Sequence, residues 1–213
     1  IANYGINLSE YDESICPEGF YIQNVDIVVT EKCSMKCIDC SNLMQYYEKP
    51  QNVETELLLD SVEKLLSAVD GVNEFRVIGG DPFMNRQGHQ IINHLTKMKK
   101  VEKVVIYTNG TILPKGENLQ CLKHNKILVH VTNYGKQSLK HDQILELFKN
   151  EDVQYISNRV TTWNDCGRIQ LVGGTEEELT HRFSNCCAKD LYTLLHGILY
   201  RCPFSSNAIN LKS

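Results

Sequence analysis

Cysteine is the residue whose spacing in this chain most strongly indicates chemistry. Among nine cysteines, Cys33, Cys37 and Cys40 form a C-x3-C-x2-C pattern. Three thiolates on one short loop can hold three irons of a 4Fe–4S cluster and leave the fourth iron open to a small molecule. A structural zinc site usually has two C-x2-C pairs, and here only Cys37 and Cys40 make such a pair. The alternatives are a zinc knuckle completed by a distant residue, or buried thiols.

A second group of cysteines lies towards the end of the sequence, at Cys166, Cys186, Cys187 and Cys202. The total number is odd and no secretory signal opens the chain, so a disulfide framework is not favoured. Two separate groups favour metal binding instead. The remaining cysteines, Cys16 and Cys121, are interpreted as structural.

Glycine and polar residues form a second conspicuous motif, Gly79-Gly80-Asp81-Pro82. Glycine has no Cβ, so Gly79 and Gly80 are expected to let the backbone approach a ligand. Asp81 is expected to add charge or to brace the loop. The alternative for the whole segment is a simple tight turn.

Two further polar segments have the same place after a predicted strand. Thr108 and Asn109 have side chains suited to hydrogen bonds with a ribose or a carboxylate, and Thr132 and Asn133 occupy the matching position further along. Turn chemistry explains either segment equally well, the first because Gly110 follows it.

The elements that must position these segments alternate along the chain. Apolar, β-branched runs predict strands at 25–30, 75–78, 103–107, 127–131 and 153–157, and helical periodicity predicts helices at 55–69, 87–100, 117–124 and 139–149. Repeated strand–helix units favour a parallel sheet with right-handed crossovers. Loops at the carboxyl ends of such strands meet along one rim, so the polar segments are expected to form one site.

The pattern changes after about residue 160. A short helix at 176–184 is followed by a predicted hairpin, 191–195 and 198–201, that turns at His196-Gly197. Trp163, Asn164 and Asp165 lie between the two regions and are expected to contact substrate, with Asp165 as a candidate catalytic residue; a plain linker is the alternative. The predicted organisation is an irregular segment at 1–24, a core at 25–160 and an extension at 161–213.

Composition narrows the class of protein. The 213 residues carry 22 Lys and Arg against 26 Asp and Glu, a net charge of −4. No basic excess is present, so nucleic acid is not an expected partner. No apolar run has the length of a membrane span. We therefore expect no membrane association, and we expect a cytoplasmic location.

The three motifs together resemble the radical S-adenosylmethionine (SAM) superfamily. Cys33, Cys37 and Cys40 follow the first strand, Gly79-Gly80-Asp81-Pro82 looks like the family's Gly-Gly-Glu-Pro motif with Asp for Glu, and Thr108-Asn109-Gly110 is a common family feature. The resemblance covers about residues 24–160. It implies a partial (β/α)6 TIM-like barrel of parallel strands in an α/β fold, with a small cysteine-rich hairpin and helix extension at the C-terminal end.

The same resemblance implies the cofactors. SAM would chelate the open iron through its amino and carboxylate groups, and reductive cleavage would give a 5′-deoxyadenosyl radical that abstracts hydrogen from a substrate. The family usually has an aromatic residue just before the third cysteine, near the adenine, where this chain has Asp39. Backbone atoms can contact adenine there, so Asp39 stays among the expected SAM-binding residues.

The C-terminal cysteines resemble the SPASM and shorter twitch extensions of radical SAM enzymes. Cys187-x9-Gly197-x4-Cys202 fits the C-x(9–15)-G-x4-C signature that opens them. The extension is too short for a full SPASM domain, so a twitch-like single auxiliary 4Fe–4S cluster is expected, held by Cys187 and Cys202 with Cys166 and Cys186. Small buried thiols or a zinc site are the alternatives.

The expected function is therefore hydrogen abstraction from a small polar substrate such as a sugar or nucleotide-sugar, with oxidation of that substrate as one outcome. An electron donor such as flavodoxin or ferredoxin is an implied partner. Peptide modification is an alternative, although peptide modifiers commonly carry an added winged-helix domain for which this chain has no room. A non-catalytic iron–sulfur carrier or sensor, or a zinc-binding interaction module, represents other classes of function.

Overall fold

The protein was analysed as a computed structural model, which describes residues 19–162 and 173–212. Strands and helices alternate through most of this range. In chain order the elements are β1 (Tyr21–Thr30), α1 (Thr55–Ala68), β2 (Gly71–Gly79), α2 (Gly88–Lys97), β3 (Val101–Thr108), α3 (Glu117–Gln120), β4 (Ile127–Asn133), α4 (His141–Asn150), β5 (Tyr155–Arg159), α5 (Glu176–Ser184), β6 (Tyr192–Leu195), β7 (Ile198–Tyr200) and α6 (Pro203–Asn210).

The strands of the described residues form one seven-stranded sheet in the order β5-β4-β3-β2-β1-β6-β7. Every neighbouring pair is parallel except β6 and β7, which are antiparallel. The order is linear and does not close on itself. The predicted fold class, an α/β partial barrel of parallel strands, is confirmed.

The apolar alternation of the strands decides which face carries the helices. Val25, Ile27 and Val29 are fully buried on β1, and they belong to one core cluster with Leu58 of α1 and Ile91 of α2. Successive residues of a strand point to opposite faces of the sheet, so the residues between them face the other side. That second face is called here the inner face. None of the helices within residues 19–162 and 173–212 has the length and apolar character needed to cross a bilayer.

Two lysines close the ends of α1 and α2 at the amino-terminal edge of the sheet. Lys100 Nζ donates to the carbonyl oxygens of Leu66 and Val69 at 2.8 and 2.7 Å. Lys126 Nζ donates to those of Met98 and Val101 at 3.0 and 2.6 Å. The last carbonyl groups of a helix lack partners inside the helix, so these ammonium groups stabilise both ends.

The structure extends several predicted elements. Strand β1 begins at Tyr21 rather than at residue 25, and β2 begins at Gly71 rather than at residue 75. Polar Asn73 and Glu74 concealed the start of β2 because they interrupt the apolar pattern. Strand β5 lies two residues later than predicted, and α6 was not predicted.

The C-terminal hairpin is not separate from the sheet. Strand β6 pairs in parallel with β1, with Val25 opposite Tyr192 and Ile27 opposite Leu194. The hairpin prediction itself is confirmed, and both turn residues, His196 and Gly197, have positive φ angles of 47° and 81°. The finding that sequence reasoning missed is that β6 supplies the sixth parallel strand.

Helix α6 is joined to both ends of the cysteine loop, defined as residues 31–50. The Tyr47 hydroxyl donates to Asn207 Oδ1 at 2.8 Å, and Asn210 Nδ2 donates to the Tyr47 oxygen at 2.9 Å. Asn210 Nδ2 also donates to Glu31 Oε1 at 3.0 Å, while Glu31 Oε2 accepts from Gln51 N at 2.8 Å. Glu31 precedes the cysteines and Tyr47 follows them, so one buried network holds the loop at its two ends.

This network predicts the effect of Tyr47→Phe. Asn207 is fully buried, and loss of the hydroxyl leaves its carbonyl oxygen without a donor. The free energy of unfolding should fall by about 1–3 kcal/mol, measured by urea unfolding under anaerobic conditions. Tyr46→Phe is the matched control because Tyr46 is 41% exposed; equal stability of the two variants would contradict this role.

Candidate functional site

The cysteine loop is an irregular segment anchored by a few apolar residues. Leu43 and Met44 are buried, and Leu43 N donates to the Cys40 carbonyl oxygen at 3.0 Å. Leu43 adopts a left-handed conformation with φ 55°, an uncommon state for a bulky residue. The loop is thus fixed to the core beside its third cysteine, while Cys33, Cys37 and Cys40 themselves are half-buried.

The three thiols occupy one small region at the carboxyl end of β1. Burial raises the pKa of the Cys33 thiol to about 11, and the Asp81 carboxylate and the thiols of Cys40 and Cys37 contribute to the rise. Burial, followed by the neighbouring Cys40, also raises the pKa of Cys37. Neighbouring thiols therefore disfavour negative charge on Cys33 and on Cys37, an arrangement that a bound metal cation would relieve.

The donor set at this position is three thiols, the ligand type of an iron–sulfur cluster. Within residues 19–162 and 173–212, no group of three or more His, Cys, Asp or Glu side chains could hold one metal ion. Structural zinc needs its ligands to converge on one centre, whereas a cluster takes each thiolate on a separate iron. The arrangement of the described residues gives no support to a zinc knuckle.

Asp81 braces the loops after β2 and β3. Its fully buried carboxylate accepts hydrogen bonds from the Thr108 hydroxyl at 2.8 Å, from Asn109 N at 3.0 Å and from Phe83 N at 3.1 Å. Burial raises the pKa of Asp81, and the three hydrogen bonds oppose that rise. Pro82 begins a 3-10 turn, Pro82–Met84, that Asp81 caps. Of the two roles expected for Asp81, the structure shows the bracing one.

The Thr108 hydroxyl is hydrogen-bonded within the protein, and its expected contact with a ligand stays a prediction. Thr108 is 2% exposed, and its hydroxyl donates to Asp81 and lies 3.4 Å from Gly110 N. Both partners belong to the protein, so the hydroxyl is used to join the two loops. The sequence correctly predicted the position of Thr108 on the rim, but it could not show which group its hydroxyl would bind.

The space that a side chain of Gly79 or Gly80 would need is filled by protein backbone. A Cβ on Gly79 would lie 2.1 Å from the Thr30 carbonyl oxygen, and one on Gly80 would lie 1.9 Å from that of Lys32. The same oxygens accept hydrogen bonds from Gly80 N and Asp81 N, each at 2.8 Å. The glycines therefore admit the backbone that leads into Cys33. Their contact with SAM through backbone atoms stays a prediction.

Asn109 joins the loop after β3 to the cysteine loop. Its Nδ2 donates to Ser34 Oγ at 3.1 Å and approaches Cys33 Sγ at 3.6 Å, while its Oδ1 accepts from Thr111 N at 3.1 Å. Asn109 is thus a predicted site residue that contacts a predicted iron ligand. Ser34 and Thr111 were not singled out from the sequence, and only their position beside the two motifs could have indicated them.

The loop after β4 contributes one residue that sequence reasoning missed. Burial raises the pKa of Tyr134 to about 12, and the thiols of Cys37, Cys40 and Cys33 add to the rise, so this phenol lies beside all three cysteines. Thr132 hydrogen-bonds to the Tyr134 side chain. In the sequence, the feature that could have indicated Tyr134 was its position directly after Asn133.

Asn133 has a turn role in the structure. Its Oδ1 accepts from Gly135 N at 2.7 Å, the hydrogen bond of an Asx turn. Asp39 is half-buried in the cysteine loop, and its expected contact with adenine stays a prediction.

The second group of cysteines is only partly described. Cys186 and Cys187 are exposed, and Cys202 is half-buried at the start of α6, where its Sγ accepts from Ser205 N at 3.4 Å. Arg201, beside Cys202, donates to the Lys189 carbonyl oxygen at 3.1 Å. This bond holds the end of the hairpin near the Cys186-Cys187 segment. The expected residues Cys16, Trp163, Asn164, Asp165 and Cys166 lie outside the described residues.

A parallel α/β sheet with three cysteines on the loop after its first strand defines a class of iron–sulfur protein that sequence comparison recognises. Residues 27–175 match the model of the Radical SAM superfamily. The match spans more than half of the chain, which therefore belongs to the radical SAM superfamily. Membership implies a 4Fe–4S cluster and SAM as cofactors.

Curated relatives share this region at low identity. A GTP 3′,8-cyclase of Clostridium acetobutylicum is 33% identical over 98 residues, 44% of this chain and 30% of that protein. Another, from Alkaliphilus metalliredigens, is 22% identical over 79% of this chain and 53% of its own length. The subtilosin biosynthesis protein AlbA of Bacillus subtilis is 28% identical over 54% of this chain and 25% of its own length. The chain thus spans between a quarter and about half of these relatives.

Solved structures show the same fold. BtrN in complex with AdoMet and 2-DOIA superposes with a TM-score of 0.57 at 16% identity, covering 87% of this chain and 75% of BtrN. Streptococcus suis SuiB bound to S-adenosylmethionine gives a TM-score of 0.55 at 15% identity, covering 80% of this chain and 39% of SuiB. Both agree with a partial barrel.

The glycine geometry predicts the effect of Gly80→Ala. The added methyl group would meet the Lys32 carbonyl oxygen, so the cysteine loop must move, and the free energy of unfolding should fall by about 1–3 kcal/mol. Iron bound after anaerobic reconstitution should fall as well. Gly88→Ala is the control, since its Cβ would meet atoms only at 3.6 Å or more. A Gly80→Ala protein with normal stability and iron content would show that the close contact is unimportant.

Proposed function

We propose that Cys33, Cys37 and Cys40 hold the SAM-binding 4Fe–4S cluster and that the chain catalyses hydrogen abstraction from a small polar substrate. The observation that carries the proposal is the grouping of three half-buried thiols at the carboxyl end of β1. Asn109 of the loop after β3 lies against Cys33, and Tyr134 of the loop after β4 is within electrostatic range of all three thiols.

The chain's own residues position and shield this centre. When bound, the cluster and SAM supply the one-electron chemistry that leads to hydrogen abstraction. Asn109 Nδ2 donates towards Cys33 Sγ, and hydrogen bonds to ligand sulfurs adjust the reduction potential of a cluster. Tyr134, half-buried on the loop after β4, interacts electrostatically with the thiols. Asp81 holds the loops after β2 and β3 together. An external donor such as flavodoxin or ferredoxin would supply the electron.

We propose a sugar or nucleotide-sugar-like substrate. The support is the polar side chains on the inner face of the sheet, such as Tyr107 and His130. The name of BtrN's bound ligand, 2-DOIA, and the name GTP 3′,8-cyclase describe those proteins and not this chain. Peptide modification is the second candidate, favoured by the identity with the bacteriocin biosynthesis protein AlbA. The two candidates differ in whether a precursor peptide or a small molecule accelerates SAM cleavage.

We also propose that Cys187 and Cys202, with Cys166 and Cys186, hold a twitch-like auxiliary cluster. The support is the hairpin of β6 and β7, which returns the chain so that its two flanks approach each other, and the Arg201–Lys189 hydrogen bond between those flanks. A cluster there could accept an electron from a substrate radical, which would make the overall reaction an oxidation.

The radical cluster is tested by single Cys33→Ala, Cys37→Ala and Cys40→Ala variants. Each should abolish formation of 5′-deoxyadenosine from SAM with dithionite under anaerobic conditions, because loss of one thiolate removes an iron ligand. Cys121→Ala is the control, because Cys121 is buried and 3.4 Å from the Asn118 carbonyl oxygen. Cleavage that survives in all three variants would refute the proposed cluster.

The auxiliary cluster is tested by the Cys187→Ala/Cys202→Ala double variant. Iron and sulfide should fall from about eight to about four atoms per chain, while reductive SAM cleavage persists. A reconstituted wild-type protein with only about four irons and no zinc would show that these cysteines bind no cluster.

A further inference from the structure

Polar side chains form a continuous row across the inner face of the sheet. Thr193 of β6, Asp26 of β1 and Arg76 of β2 are in register on three neighbouring strands. Residues paired in register across parallel strands project to the same face. Asp26 and Thr193 are 1% and 0% exposed, so the row begins in a buried environment.

This part of the row has unsatisfied polar atoms. Arg76 Nε lies 3.2 Å from Asp26 Oδ1, an ion pair without hydrogen-bond geometry. Among the described residues, neither of these buried atoms nor Thr193 Oγ1 has a hydrogen-bond partner. Native structures rarely leave buried polar atoms unpaired, and each such atom has a free-energy cost. Arg76 Nε and Asp26 Oδ1 compensate each other's charge, so Thr193 Oγ1 is the atom of this group that a polar group of a bound molecule would satisfy.

The row continues across β3, β4 and β5. The Arg76 guanidinium lies 4.8 Å from the centre of the Tyr107 ring, and the Tyr107 and His130 rings are 4.9 Å apart between centres. His130 Nε2 is 3.2 Å from Asn158 Nδ2. Tyr107, His130 and Asn158 are only half-buried, so this part of the row offers donors and acceptors to a bound molecule.

The row lies directly beneath the candidate radical site. Tyr107 precedes Asn109 by two residues, and His130 precedes Tyr134 by four. With about 3.3 Å per residue along a strand, the row lies roughly 7–13 Å below the rim on the same face. A small molecule held on the row would extend towards the cysteine loop.

The charges of the row balance. The Arg76 cation is paired with the Asp26 carboxylate, and burial together with the Arg76 charge lowers the pKa of His130, so that its imidazole is neutral at pH 7. One layer further from the rim, Glu74 and Lys103 are opposite each other and also cancel. A phosphate or carboxylate placed here would add uncompensated negative charge beside Asp26, and burying an unpaired charge is costly.

We propose that this inner-face row, Thr193, Asp26, Arg76, Tyr107, His130 and Asn158, binds the substrate through an uncharged group rich in hydroxyls or amides rather than through a phosphate or carboxylate. The inference rests on the proposed function and specifies its substrate class. A polyol or amide supplies both donors and acceptors, which the mixed row requires, whereas an anion supplies acceptors only.

The test compares a neutral polyol with an anion on the anaerobically reconstituted protein. myo-Inositol and inorganic phosphate serve as probes, and binding is measured by titration calorimetry. The wild type should prefer myo-inositol by about tenfold or more. Asn158→Ala should weaken its binding by about 2- to 12-fold, the effect of one lost hydrogen bond. Asn73→Ala is the control, because Asn73 is on the opposite face of β2 and pairs with Gln23.

A charge change gives a sharper outcome. Asp26→Asn removes the carboxylate that is paired with the Arg76 guanidinium. Binding of inorganic phosphate should therefore tighten by about tenfold, as expected for a charge-assisted hydrogen bond. Circular dichroism confirms that the variants fold. Absence of reductive SAM cleavage in the wild type would remove the function on which the inference rests. Normal cleavage with a wild-type preference for phosphate, no binding of myo-inositol, or variants equal to Asn73→Ala would overturn the inference itself.

Discussion

The close backbone contact between Gly79-Gly80 and the carbonyl oxygens of Thr30 and Lys32 determines where the cysteines can be. Each glycine lies where a Cβ would overlap one of those oxygens, so the turn after β2 fits directly against the start of the cysteine loop. Asp81 then fixes the loop after β3 to the same turn through Thr108 and Asn109, and Asn109 returns to Cys33. The geometry of the site therefore depends on two residues that have no Cβ, Gly79 and Gly80.

Sequence reasoning predicted the fold class and the principal motifs because both depend on local patterns. Alternating apolar strands and helices are visible in a single sequence, and so are cysteines on one short loop. The hydrogen-bond partners of polar side chains, in contrast, are often distant in the sequence. Thr108 looked like a ligand-binding residue, but a carboxylate 27 residues away binds its hydroxyl. Tyr134 reaches thiols almost a hundred residues earlier, and no periodicity reveals such a contact.

The two faces of the sheet have different roles: one packs against the helices, and the inner face carries polar side chains. The apolar residues of β1 to β4 pack under helices and supply the buried area that stabilises the domain. The opposite face carries Asp26, Arg76 and His130, and the ion pair between Asp26 and Arg76 offsets part of the cost of burying Asp26. A strand such as β1 thus alternates between residues that stabilise the fold and residues that equip the barrel interior, which explains why its sequence is less uniformly apolar than that of a fully buried strand.

The order in which the chain is synthesised gives the α6 anchor a further consequence. Tyr47 and Asn207 are 160 residues apart, and β6, which flanks β1, is also made late. Contacts between distant parts of a chain form slowly because a long loop must close first. On the ribosome the three thiols emerge before β6 and α6, on a loop that still lacks both its neighbouring strand and its hydrogen bonds to α6. Assembly of the metal centre in its final geometry therefore follows the synthesis of β6 and α6.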